Sequence, residues 1–451
     1  MATPATPSIG TPETPSTSTP DGIPTTLMHP AAGRFWAAVV LTAVGTGAGT
    51  AALTRLLELV QYLAWHGSAT NILAAAERAG AWRHLLVLVG AGLVTGAGQL
   101  VLRQLSSGNG IDTTAAIWFR AGRMPAGRTL GSAVLSVLIV GMGASLGREG
   151  APKQAGAVIA NFFSDRERLS DEQRRLLVAC GAGAGMGAAY GVPLGGALFA
   201  LEVMRGRLAL RYVLPALVTS VIATLVSWLA LPDAPTYVIP KYASSASSLS
   251  WALVAGPIAA LVSVAYVRLV RWADSNRPRG WRRLTAPVIV LGLLGAVSIE
   301  FPQVLGNGKD LSQLAFAGQV APMLLLVLLV LKPAASVLCL RSGAPGGLFT
   351  PSLTVGALLG AVLGHVWSWC WPGVPPGLFA VLGAGAVIAA TTQGPISAVV
   401  LMMELTGRDR SFIAPLLVAV GTATLVARTI ERRSIYDARL TDAQARMRRS
   451  D

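Results

Sequence analysis

An all-α, polytopic membrane fold with two related halves and broken helices is predicted by three features of this chain. Hydrophobic residues make up 53% of it against 13% charged, an apolar excess that a soluble domain of average usage does not carry. Several uncharged segments are long enough to cross about 30 Å of hydrocarbon, which takes roughly 20 helical residues. The stretch from Ser342 to Met403 contains no Asp, Glu, Lys or Arg, is too long for one crossing, and opens on Ala344-Pro345-Gly346-Gly347-Leu348-Phe349-Thr350-Pro351. Irregular backbone at membrane depth is tolerated only where it is buried in protein or lines a wet path.

From the N-terminus, residues 1–32 are rich in Thr, Pro and Ser and lack the basic start and apolar run of a signal peptide, so they read as a disordered tail. Spanning segments are expected at Phe35–Leu53, Thr129–Gly147, Leu176–Leu201, Tyr212–Pro232 and Leu311–Leu331. Shorter apolar runs at Leu85–Leu102, Trp251–Val267 and Leu284–Ile299 are expected to span or re-enter. Together they define a transmembrane domain over residues 33–430, in halves of about 33–232 and 250–430, followed by a C-terminal cytoplasmic helix over 431–451 and no regulatory domain. Seven Arg residues lie between Arg428 and Arg449, and the positive-inside rule places that end in the cytoplasm. The expected location is the plasma or inner membrane, spanned many times.

A net charge of +15 raises nucleic acid as a partner, but the Arg residues fall between apolar segments and form no interleaved basic and aromatic face. Topology accounts for them, and no nucleic-acid partner is expected. Cys180, Cys339 and Cys370 sit in or beside apolar segments without CxxC spacing, which argues against a disulfide framework and a zinc site. No metal or other cofactor is implied.

An internal repeat organises the chain. A shift of 202 residues aligns Gly181-Ala182-Gly183-Ala184 with Gly383-Ala384-Gly385-Ala386, Pro193 with Pro395 and Glu202 with Glu404. A shift of 200 pairs Gly143-Ala144 with Gly343-Ala344, Gly147 with Gly347 and Gly156-Ala157 with Gly356-Ala357. Gly- or Pro-interrupted segments at matching places in two halves point to a transporter with its site near the midplane. Helix N-termini left at such breaks present unpaired N–H groups and about half a positive charge, which suits an anion. Glu202 and Glu404, in their repeated positions, read as structural acids on Arg or helix ends rather than proton carriers.

Gly147-Arg148-Glu149-Gly150, with Gln154 after it, resembles the GREGP signature of the CLC family of anion channels and proton-coupled anion transporters, and Gly346-Gly347-Leu348-Phe349-Thr350-Pro351 is similar to that family's GGxFxP element. Gly108-Asn109-Gly110-Ile111-Asp112 stands where the family has GSGIP, and Ile435-Tyr436 where its pore tyrosine lies. The resemblance implies the CLC-type inverted-repeat fold, with broken and re-entrant helices, and a homodimer with a separate pore in each subunit. It implies an anion held by backbone N–H groups near Arg148, Glu149, Gly150, Leu348 and Phe349, with side-chain donors from Asn109 and Tyr436. Dipoles suit conduction better than full charges, because the ion must also leave. Glu149 is the implied gate: ionised, it competes with the anion; protonated, it yields, and proton movement is thereby coupled to anion movement. A carboxylate within the membrane is functional by default. Arg148 would scaffold the loop.

Departures from the family pattern refine these expectations. Val203 takes the position of the inner glutamate typical of proton-coupled members, with Glu202 beside it. Asn109 replaces the usual serine and offers two amide donors where a hydroxyl offers one. Chloride is the expected ion, and fluoride, which gains from extra donors, is the alternative. Ala151 and Asp112 replace family prolines. A remote rival is an intramembrane serine hydrolase, because Gly143-Ala144-Ser145-Leu146-Gly147 fits GxSxG; it requires a general base near Ser145, for which only His365 lies at plausible depth.

Overall fold

A computed structural model describes residues 22–24, 32–66, 71–105, 113–407, 412–438, 440, 444–445 and 447–448. Its first half runs through α1 (Ala32–Trp65), α2 (Ile72–Glu77), α3 (Ala81–Leu105), α4 (Thr113–Phe119), α5 (Ala126–Gly141), α6 (Gly150–Arg166), α7 (Asp171–Tyr190), α8 (Pro193–Leu198) and α9 (Leu210–Trp228). The second half holds α10 (Ala246–Ser275), α11 (Arg282–Glu300), α12 (Lys309–Phe316), α13 (Pro322–Arg341), α14 (Phe349–Cys370), α15 (Pro376–Thr392), α16 (Pro395–Thr406) and α17 (Ile413–Ile430). Eight of these helices are long and apolar enough to cross a membrane, and no strand occurs among the described residues. The 34 residues of α1 make it about 51 Å long, so it must tilt or protrude from a bilayer core of about 30 Å.

Three expected spans are corrected. Leu176–Leu201 is cut between α7 and α8, where Gly191 takes φ +67° and Pro193 starts a new helix. The helix within Thr129–Gly147 stops at Gly141, and Leu311–Leu331 crosses the gap between α12 and α13. None of these breaks needs a charged residue, so an uncharged run concealed them. The tail also differs locally: Gln173 Nε2 donates to the Gly22 carbonyl at 2.9 Å, and Ile23 is buried, so part of it is docked on the start of α7. Residues 431–438 are non-helical, with Tyr436 in a turn, where a helix had been expected.

The repeat seen in the sequence governs packing. A side chain on Gly156 would strike the Gly181 carbonyl, and one on Gly181 the Gly156 carbonyl. Gly356 and Gly383 stand in the same relation, so α6 meets α7, and α14 meets α15, backbone to backbone in the manner of small-residue contacts between membrane helices. The breaks repeat too: Gly191 before α8 and Gln393 before α16 both take left-handed backbone, with φ +67° and +60°.

Glu202 and Glu404 cap helices in each other's half. Glu404 accepts from the Leu194 and Gly195 N–H groups at the start of α8, at 3.0 and 2.6 Å. Glu202 accepts from Ile396 and Ser397 N–H at the start of α16, at 3.1 and 2.6 Å, and from Ser397 Oγ at 2.6 Å. Each carboxylate fills orphan donors and opposes a helix dipole. Glu202→Gln and Glu404→Gln are each expected to lower the melting temperature in detergent by about 2–4 °C, from roughly 2 kcal/mol of lost charge-assisted hydrogen bonding. Melting curves that coincide with the native protein's for both variants would refute the capping role.

Candidate functional site

The two Gly-rich breaks meet. Gly147 N–H donates to the Gly347 carbonyl and Gly347 N–H to the Gly147 carbonyl, both at 2.8 Å, forming an isolated antiparallel bridge between residues 200 apart in the repeat. Neither strand has length to extend it. Close approach is the reason for glycine here: a Cβ on Gly150 would stand 2.8 Å from the Gly347 nitrogen. From this junction α6 leaves at Gly150 and α14 at Phe349, so both helices begin inside the protein and direct their N-terminal dipoles toward one region.

Glu149 lies in that region, 2% exposed. Its Oε1 accepts from Phe349 N–H at 2.7 Å and from Thr350 N–H at 3.4 Å. Its Oε2 accepts from Thr350 Oγ1 at 2.9 Å and Tyr190 OH at 3.1 Å, while the two hydroxyls are 2.5 Å apart. The carboxylate also lies against the α-carbons of Gly147 and Gly347, in space that any side chain there would fill. It is held by dipoles and hydroxyls. Oε1, resting on the first amide of α14, stands where a small anion would be held by the same N–H group.

Arg148 sends its guanidinium over the Tyr190 ring, 4.9 Å from the centroid. Its side chain and Tyr190 line a cavity of about 160 Å³ that also takes in Lys309, Asp310 and Glu58. A larger cavity, about 380 Å³, reaches Gly346 from elsewhere and is lined by Gln154 and several Arg residues. Leu348 immediately precedes α14 without a side-chain capping bond, and Gly150 opens α6. Tyr436 packs edge-on against Phe199 at 5.5 Å, with Lys153 Nζ 4.4 Å from its ring centroid; Lys153 N–H in turn bonds the Glu149 carbonyl at 3.2 Å. Tyr436 is thus brought to the first turn of α6. Asn109 lies outside the described residues.

Val203, at the inner-glutamate position, is buried, and its neighbour Glu202 is occupied by the cap on α16. Sequence reasoning missed three residues. Tyr190 and Thr350 reach Glu149 from the end of α7 and the start of α14; Thr350 lies within the Gly346–Pro351 element without having been given a role, and nothing in the local pattern marks Tyr190. Lys332 is fully buried and donates to the carbonyls of Val304, Leu305 and Gly306 at 2.9, 3.2 and 2.8 Å. Gly306 N–H then bonds the Gly143 carbonyl at 2.9 Å, so Lys332 braces the loop that leads to Glu149. Its signal was available: one lysine, before Pro333, in an apolar span.

Ser145, the serine of GxSxG, is fully buried with its hydroxyl 3.4 Å from Ser336 Oγ. His84 is engaged with Ser298 and the Ala76 carbonyl, and His365 lies far along α14. The serine has a second serine as its partner where a nucleophile would need a base.

A family model described as voltage gated chloride channel matches residues 87–428. A relative described as ClcB-like, from Ralstonia nicotianae, is 30% identical over 406 residues, which are 86% of this chain and 93% of the relative. An H(+)/Cl(−) exchange transporter ClcA from Vibrio parahaemolyticus is 30% identical over 308 residues, 66% of each chain. Among solved structures, a slow cyanobacterial Cl−/H+ antiporter superposes with a TM-score of 0.79 at 21% identity, over 93% of this chain and 99% of that one. A CLC-type fluoride/proton antiporter gives 0.72 at 20% identity, over 90% and 97%. The structural likenesses establish the fold.

Proposed function

The chain belongs to the CLC family of voltage gated chloride channels and proton-coupled anion transporters, and from that premise we propose that it moves chloride across the cell membrane in exchange for protons, with Glu149 as the gate. The observation that carries this reading is the seat of the Glu149 carboxylate on the first amides of α14. Ionised, Glu149 satisfies those donors and excludes an anion of like charge. Protonated, it loses its charge-assisted hold, and an incoming halide takes the same N–H groups. Each exchange of carboxylate for anion then links one protonation to one passage, which is a coupling and not merely a gate.

Backbone N–H groups near Arg148, Gly150, Leu348 and Phe349 would coordinate the ion, with Asn109 and Tyr436 as side-chain donors. Arg148 and Lys309 line one cavity that approaches the gate, and Arg103, Arg128 and Arg279 line the other; both raise the local concentration of anions. Val203 supplies no carboxylate for an inner proton step, so protons would reach Glu149 through water or another acid, and coupling is expected to be slow. Fluoride is the second reading, favoured by Asn109. The protein would act as a homodimer with one path per protomer and its C-terminus in the cytoplasm.

Purified protein in liposomes loaded with chloride or fluoride tests this. Anion efflux with a matching rise in external pH is expected, and the faster ion identifies the substrate. If neither anion moves under conditions in which a control exchanger works, the transport reading fails and only the fold remains.

A further inference from the structure

The larger cavity is too strongly charged to serve only as a corridor for a halide. Within about 380 Å³ it gathers Arg103, Arg128, Arg277, Arg279 and Arg283, with Asp274 as the acid among its described lining residues. Asp274 is paired with Arg277 at 2.7 Å, and the described lining sets five arginines against this one acid. Full cationic charges at this density retain a monovalent ion but are better matched by an anion that carries several oxygens and more than one charge, because guanidinium forks bind such groups in bidentate fashion. Trp272 and Trp281, on either side in sequence of the lining residues 274–279, are exposed, of the kind that anchors at the membrane–water interface. Ser342, Gly343 and Gly346 line the cavity too, Gln99 Nε2 donates to the Gly343 carbonyl at 3.0 Å, and Gly346 adjoins the Gly147–Gly347 bridge.

We propose that this arginine-lined cavity binds a phosphate group of at least two negative charges, from a soluble phosphate compound or an anionic phospholipid headgroup, and that its occupancy restrains the gate loop and slows transport. Binding depends only on the cavity; the slowing rests on the transport reading above. An occupant fixed against Gly343 and Gly346 would stiffen the loop that presents Gly347 to Glu149 and obstruct the approach from that side.

The full chain in nanodiscs of neutral lipid, titrated with inorganic pyrophosphate at fixed chloride and ionic strength, is expected to show saturable binding. An Arg103→Gln/Arg279→Gln double variant, in which both side chains are exposed and the fold is left alone, is expected to weaken it by about tenfold or more. Nanodiscs containing phosphatidic acid separate the sources: pyrophosphate excluded there identifies the headgroup as occupant, and pyrophosphate still bound identifies a soluble ligand. Absence of saturable binding in neutral nanodiscs, or equal binding by native and variant, overturns the site. Chloride efflux from liposomes is expected to slow about fivefold or more with pyrophosphate on that face of the native protein and not of the variant. Binding without slowing overturns the regulatory half, and a chain that binds pyrophosphate but transports no anion refutes the transport reading while the site stands.

Discussion

Glu149→Gln is expected to move anions at a rate independent of pH, with proton uptake reduced to background. The amide is neutral at every pH, as the protonated acid is, so it no longer competes as a charge for the α14 amides. Hydrogen bonds to an ionised group contribute about 1.5–3 kcal/mol each, so losing one such increment shifts the balance between seated and displaced gate by roughly 10- to 100-fold. Native protein should instead speed up as pH falls, because protonation empties the seat. Parallel recordings of anion efflux and external pH between about pH 4 and pH 8 check this. Proton uptake by the Gln variant equal to that of the native protein would remove Glu149 from the coupling.

Gly147→Ala should produce a partial version of the same state while leaving the acid in place. A methyl group there would collide with both carboxylate oxygens and Cδ of Glu149, the end of a flexible side chain, which can move away more easily than backbone can. The main-chain bridge to Gly347 uses only N–H and carbonyl groups, so it survives. Anion efflux at neutral pH is expected to rise by about tenfold, with a shallower pH dependence, as one displaced charge-assisted bond implies. Added to Glu149→Gln, the substitution should change little, because both act on the same seat. Full additivity of the two rate effects would show that Gly147 acts elsewhere. Gly347→Ala is a poorer probe, since its methyl would also stand 2.9 Å from the Gly150 nitrogen.

Glu149 was legible because a lone carboxylate beside glycines in an apolar setting has few structural explanations, and the repeat was legible because its landmarks recur at near-constant spacing. Gly147 and Gly347, matched by that spacing, turn out to be bonded to each other. Local pattern could not show Tyr190 and Thr350 at the Glu149 carboxylate, because their contacts with it span 41 and 201 residues. The helix-end role of Glu202 and Glu404 was readable from their repeated positions, but the same limit concealed that each one's partner helix lies in the opposite half. Helix ends at Gly141 and Tyr190 were blurred because small and apolar residues continue past them with no charged residue before Arg148 and Glu202. Tyr436 packs beside the first turn of α6, but its turn could not be distinguished from a helix by charge alone.

The exchange of caps between Glu202 and Glu404 has a historical implication. Neither half can close its own helix: α8 depends on an acid from the second half, and α16 on one from the first. A single half would therefore have been incomplete alone, yet two copies set head to tail would have met each other's need with the same glutamate. The present chain is consistent with descent from a shorter ancestor inserted in the bilayer in both orientations and later joined end to end. On that view the bridge between Gly147 and Gly347 is an old subunit interface preserved within one polypeptide, and the seat of Glu149 was built on it.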